Sequence, residues 1–179
     1  MSKLVVAQFL SVDGVMEAPE KWSFPYNNDE FMAFKMDELK ASGTHLLGRV
    51  TYEIFAGAWP SRTGEFADHM NRLPKYVVST SLKKLDWDGS HQIKEHVAEE
   101  VTKLKQPPGK DILVAGSATL VQTLMQHNLV DEYHIMVYPL VLGSGQHFFK
   151  DGDTAKLKLV ESKAFKTGVV SLIYQPATK

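Results

Sequence analysis

"ILVAGSATLVQTLMQHNLVDEY", residues 112–133, decides the fold. Four apolar residues run into Gly116, a hydroxyl residue follows at once, and a helical pattern begins over 117–128. Apolar positions at helical spacing after a short buried run are the mark of a strand feeding a helix. The run then turns to "DEYHIMVYPLVLGSG" (131–145), which alternates Tyr133, Ile135 and Val137 with His134, Met136 and Tyr138 and reads as a long strand. Gly-Ser at a strand-to-helix junction has two readings. It is an ordinary turn with a helix cap, or a place where backbone without a Cβ comes close to an anion at a helix N-terminus.

Working outward, the same strand-then-helix alternation repeats. "KLVVAQFL" (3–10) is a near-continuous apolar run, as in a strand buried on both faces, and "DEFMAFKMDELKA" (29–41) has helical spacing with Asn28 or Asp29 placed to cap. "THLLG" (44–48) leads directly into "RVTYEIFAGAW" (49–59), a helix. "KYVVSTSL" (75–82) is strand-like, and "HQIKEHVAEEVTKLK" (91–105) is a short strand entering an amphipathic helix. Pro107-Pro108-Gly109 stops that helix. "LKLVESKAFKTGVVSLIYQP" (157–176) is a hairpin turning near Lys166-Thr167-Gly168. "EAPEKWSFPYNN" (17–28), with Pro19 and Pro25, is a loop. Four strand–helix units followed by strands alone specify one α/β domain over 1–179, its sheet mostly parallel and finished by an antiparallel hairpin.

Composition narrows the function. A net charge of −1 gives no field for nucleic-acid phosphates or anionic membranes. The absence of cysteine removes thiolate chemistry, disulfides and Cys-ligated zinc. The seven histidines include no H-x-H or H-x-x-x-H pair, so no metal is expected. The N-terminal apolar run is too short for a secretory segment or a membrane span, and a soluble cytoplasmic protein is expected.

Three junctions are chemically alike. They are Gly48-Arg49 with Thr51, the hydroxyls Ser79, Thr80 and Ser81, and Gly116-Ser117-Ala118-Thr119. Open α/β sheets gather ligands beyond the carboxyl ends of their strands, where helix N-termini attract anions, and a guanidinium suits phosphate. Neither G-x-G-x-x-G nor a P-loop is present.

These pieces carry a resemblance. "SVDG" (11–14), "LLGRVTYE" (46–53), "KYVVSTSL" (75–82), "ILVAGSATLVQTL" (112–124) and "LVDEYHIMVYPLVLGSGQHFF" (129–149) resemble, in order, the dihydrofolate-reductase-like superfamily. Within it they are most similar to the C-terminal reductase domain of the bifunctional riboflavin-biosynthesis enzyme. The resemblance implies a three-layer α/β/α fold and a reductase using NADPH for hydride transfer to a small heterocycle, in the manner of 5-amino-6-(5-phosphoribosylamino)uracil reductase or dihydrofolate reductase. It implies that Gly48, Arg49 and Thr51 hold cofactor phosphates and that Ser79, Thr80 and Ser81 lie beside the 2′-phosphate. Gly116, Ser117, Ala118 and Thr119 would form the pyrophosphate turn, and Ala7 would meet the nicotinamide. Asp13 is placed in the loop over that ring and Glu30 in the position of the substrate-side acid. Aromatics cluster in sequence around these motifs, and of them Trp22 and Tyr52 are expected to line a flat-ring substrate pocket, since stacking suits such ligands. Where dihydrofolate reductases usually carry Gly-Gly at the turn, this chain has Ala115-Gly116. The basic residues that follow the first-loop motif in riboflavin-pathway reductases are missing until Lys21. A homodimer is expected from the same resemblance. A non-catalytic nucleotide-binding module and a flavin-binding enzyme on the same strand ends stay open beside the reductase.

Overall fold

The computed structural model describes residues 1–177; the last two residues of the expected domain lie outside them. In chain order the elements are β1 (Leu4–Ser11), α1 (Asp29–Ala41), β2 (Ser42–Gly48), α2 (Arg49–Ala58), α3 (Glu65–Arg72), β3 (Lys75–Val78), β4 (Ser90–Ile93), α4 (Val97–Lys105), β5 (Asp111–Val114), α5 (Ala118–Gln126), β6 (Glu132–Tyr138), β7 (Leu157–Ala164) and β8 (Val170–Pro176). They build one eight-stranded sheet in the order β4-β3-β2-β5-β1-β6-β8-β7. From β4 to β6 every pairing is parallel; β8 runs antiparallel to both β6 and β7.

The alternation of side chains across β1 separates two cores. Leu4, Val6 and Leu10 pack with Val101 of α4 and with Leu120, Val121 and Leu124 of α5. Val5 and Ala7 face the other way, with Leu39 of α1, Tyr52 of α2 and Met70 of α3. Phe31 of α1 extends that second face over Met136 and Tyr138 of β6. Helices on both faces of a mostly parallel sheet make the three-layer arrangement, since each buried face must be covered.

The departures have local causes. Helix α3 falls in an interval where the sequence pattern specifies no element, because its eight residues bury only Ala67 and Met70. The strand at 75 ends at Val78, where the Ser79 hydroxyl accepts from the N–H groups of Ser81 and Leu82 and turns the chain. The long strand expected over 131–145 stops at Tyr138, before Pro139, which has no N–H for the ladder. The 17–28 loop contains two short 3-10 turns, Pro19–Lys21 and Phe24–Tyr26, each with a proline in its opening positions. At the start of α1 it is Asn28 that caps, its side chain accepting from Phe31 N–H at 2.9 Å. Among the described residues no helix is long and apolar enough to cross a membrane.

Candidate functional site

The three junctions lie side by side on one edge of the sheet. β3, β2 and β5 are consecutive neighbours, and their carboxyl ends are level: Gly48 is in register with Val78, and Gly48 N–H donates to Gly116 C=O at 3.1 Å. Immediately beyond them α2 begins at Arg49 and α5 at Ala118, so two helix N-termini open at the same place. Ser117 caps α5 through its side chain, which accepts from Leu120 N–H, so its hydroxyl is engaged locally. The Gly116–Ser117 peptide bond is cis.

Both glycines are demanded by the approach of the junctions to one another. A Cβ on Gly48 would fall on Ser117 Oγ and within 3.0 Å of Ser117 Cβ and N. Gly116 has φ +121°, and a Cβ there would sit 2.9 Å from Thr51 Oγ1. Glycine is the residue for a left-handed backbone in tight contact. The abrupt end of β5 thus has a packing reason that holds with or without a ligand.

Next to β5 stands β1, and here the chain changes direction. The crossover after β1 goes to β2, towards the β4 edge; the crossover after β5 goes to β6, towards the β7 edge. Adjacent strands whose connections diverge form the topological switch point, where ligands of open α/β sheets enter. Pairing of β1 with β5 ends at Val6–Val114, so Ala7 and Gln8 are the first β1 residues beyond it. Gln8 is 6% exposed, and among the described residues its Oε1 has no hydrogen-bond partner. Sequence reasoning missed this residue, although a polar side chain inside the otherwise apolar run 4–10 is a visible signal.

The charged and hydroxyl groups at the rim vary in availability. Arg49 pairs with Glu53 at 2.9 Å, both side chains nearly half exposed. An exposed pair of this kind is worth about 0–1 kcal/mol, so the guanidinium is easily redirected. Ser79 is buried and occupied with the turn, whereas Thr80 and Ser81 are exposed. Thr119, in the first turn of α5, is likewise exposed, and Ala118 beside it is buried.

The residues expected on the substrate side have these surroundings. Asp13 is engaged within its own loop and with the segment after β6. Its carboxylate accepts from the Ser11 hydroxyl and from the N–H groups of Leu142 (3.1 Å) and Gly143 (2.8 Å), which fastens the 11–14 loop to the segment after β6. The Ser11 hydroxyl, then those two N–H groups, hold it ionised down to about pH 2. Glu30 accepts from Lys166 N–H at 3.2 Å and lies 3.8 Å from Lys163 Nζ, so it serves the β7–β8 turn. Tyr52 is 2% exposed; its hydroxyl accepts from Trp87 N–H, and the ring is core. Its ring packs against Trp87 at 6.3 Å, whereas Trp22 joins a separate aromatic group, edge-on to Tyr138 at 5.2 Å. Phe9, Tyr26 and Phe31 complete the group around the same Tyr138. Burial pushes the Tyr138 hydroxyl far up from its ordinary value, and among the described residues it has no hydrogen-bond partner.

Earlier along β6, at His134, stands a charged group. His134 bonds Glu38 at 2.8 Å and Glu132 at 3.1 Å, and Glu38 also pairs with Lys35. Burial alone would raise Glu38, but Lys35 and His134 hold it at about 2. Burial alone would lower His134, and the two carboxylates raise it instead. Asp131 and Glu132, where the same strand begins, pair with Lys105 and Lys3. A surface hollow of about 340 Å³ between α5 and the 152–157 segment lies away from all three junctions.

Comparison with known proteins agrees with this architecture. Residues 2–171 match the family described as the RibD C-terminal domain. An uncharacterised Bacillus subtilis (strain 168) protein, YyaP, is 33% identical over 144 residues, covering 77% of this chain and 76% of its own. A Shewanella sp. PV-4 structure named for riboflavin biosynthesis superposes with TM-score 0.79 at 16% identity, over 99% of this chain and all of the other. Dihydrofolate reductase from Enterococcus faecalis, solved with NADP(H), gives 0.68 at 15% identity, over 98% and 97% of the two chains. The sheet order, the three layers and the match over nearly the whole length agree: the chain belongs to the RibD C-terminal domain family.

Proposed function

We propose that this protein is an NADPH-dependent reductase of a small, flat heterocycle of the aminopyrimidine or pterin kind, acting as a homodimer. The observation that carries the reading is the convergence of the α2 and α5 N-termini at the switch point of the sheet. The residues present fit such a cofactor: the N-termini of α2 and α5 suit a pyrophosphate, and beside them a buried acceptor, Gln8 Oε1, has no hydrogen-bond partner among the described residues. When bound, the nicotinamide supplies the hydride. The chain's own residues bind and orient: the helix ends take pyrophosphate charge, and Arg49 with exposed Thr80 and Ser81 suits the 2′-phosphate. Ala7 lies where the sheet opens, and Trp22 with its aromatic neighbours supplies flat apolar faces for a ring.

A second reading is a nucleotide-binding module without turnover. It is favoured by the engagement of both expected acids, Asp13 and Glu30, with backbone N–H groups elsewhere. Calorimetric titration with NADPH and NADH, followed by a turnover screen with pterins and aminopyrimidines, separates the two. NADPH-selective binding is expected, and Arg49→Ala should weaken NADPH by about tenfold while leaving NADH nearly unchanged, the equivalent of one charge-assisted contact. A folded sample that binds neither nucleotide overturns both readings.

A further inference from the structure

We infer that Gln8 is a specificity residue for the cofactor, its side-chain oxygen accepting a hydrogen bond from the carboxamide N–H of the nicotinamide. The inference rests on the cofactor reading above and assigns a residue to the uncharged end of that ligand.

Gln8 lies on β1 with Leu4, Val6 and Leu10 on the same face of the strand, yet it is the one polar side chain among them. It is 6% exposed, and among the described residues Oε1 has no donor. Buried amide oxygens are almost always paired, so an orphan at a switch point is a reason to look for a ligand there. The oxygen is directed at the α5 junction: it lies 3.9 Å from the point a Cβ on Gly116 would occupy, and Thr51 Oγ1 lies 2.9 Å from that same point. Glycine keeps the point clear.

Charge decides which part of a dinucleotide belongs here. The α2 and α5 N-termini present donors and positive potential, which match phosphate oxygens. Gln8 Oε1 is an acceptor and repels those oxygens, so it requires an N–H or O–H. The deepest part of an inserted ligand is its uncharged end, because phosphates and ribose hydroxyls keep their contact with water and helix ends. A primary carboxamide on a flat ring meets both conditions, offering N–H donors at low desolvation cost.

The test uses three probes on the full chain: NADP⁺, its 3-acetylpyridine analogue (the amide NH₂ replaced by methyl), and 2′,5′-ADP, which lacks the nicotinamide end. The unaltered protein should bind NADP⁺ about tenfold more tightly than the analogue, the usual consequence of leaving one buried acceptor unpaired. In Gln8→Leu that discrimination should vanish through loss of NADP⁺ affinity, with 2′,5′-ADP binding unchanged; Gln8→Met, closer in shape, repeats the test. Should both variants fail to fold, the comparison of NADP⁺ with its analogue on the unaltered protein still decides. Equal binding of those two ligands overturns the inference while the cofactor reading stands. An equal loss of 2′,5′-ADP and NADP⁺ in the variants also overturns it, because Gln8 would then act only by supporting the fold. Failure of the unaltered protein to bind any of the three overturns the cofactor reading and this inference together.

Discussion

His45 is 1% exposed on β2, and neither of its ring nitrogens has a hydrogen-bond partner among the described residues. Burial first, then the charges of Lys75 and Lys35 against the opposing Glu38, lower it to about 4 from its ordinary 6.5. Between those two values the unfolded chain binds a proton that the folded chain refuses, so stability falls as the pH drops through the window. The loss is on the order of 3 kcal/mol by pH 4. Urea denaturation of the unaltered protein and His45→Leu at pH 7 and pH 5 checks this: the variant should lose most of the dependence. His134 acts in the opposite sense. Its raised value means that its contribution is complete below 6.5 and is lost as the pH rises through the folded value.

At the scale of elements, the contact between the β2–α2 and β5–α5 junctions is the most exacting in the fold. Gly48 has φ −77°, which any residue adopts, so the cost of Gly48→Ala is purely steric. The added carbon meets Ser117 side chain and backbone, and overpacking of this kind costs about 1–3 kcal/mol. A Ser117→Gly background should recover part of that loss, which a double-mutant cycle by chemical denaturation measures directly. Both glycines are visible in the sequence as junction glycines. Their reason is not, because a Cβ clash between residues 48 and 117 exists only once β2 and β5 are neighbours.

Across the whole molecule the sheet is asymmetric. Its middle strands are covered on both faces, while β7 ends the sheet with nearly every residue exposed, Leu159 at 48% and Val160 at 53%. An open edge strand carrying apolar side chains is a place for a second chain to pair. The proposed homodimer predicts twice the chain mass by light scattering after size exclusion, and Leu159→Asp should shift it to the monomer. A monomer at working concentration in the unaltered protein removes the dimer from the proposal without touching the cofactor site.

The sequence by itself determined the α/β class, the four strand–helix units and closing hairpin, and the three junction motifs, because these depend on local periodicity, glycine and capping residues. It also supplied the family resemblance, which the match over residues 2–171 bears out. Only the tertiary structure decided which polar groups are engaged. Asp13 and Glu30 look like acids beside a substrate when read in line, but their carboxylates are drawn to N–H groups of residues 142, 143 and 166, more than a hundred positions away. Tyr52 passes from substrate side to core for the same reason, since helix periodicity marks a face without naming what covers it. Gln8 moves the other way. Among apolar neighbours it reads as an exception to a buried strand, and it becomes a candidate ligand group only because β5 ends one residue short of Ala7 and leaves the acceptor facing the opening.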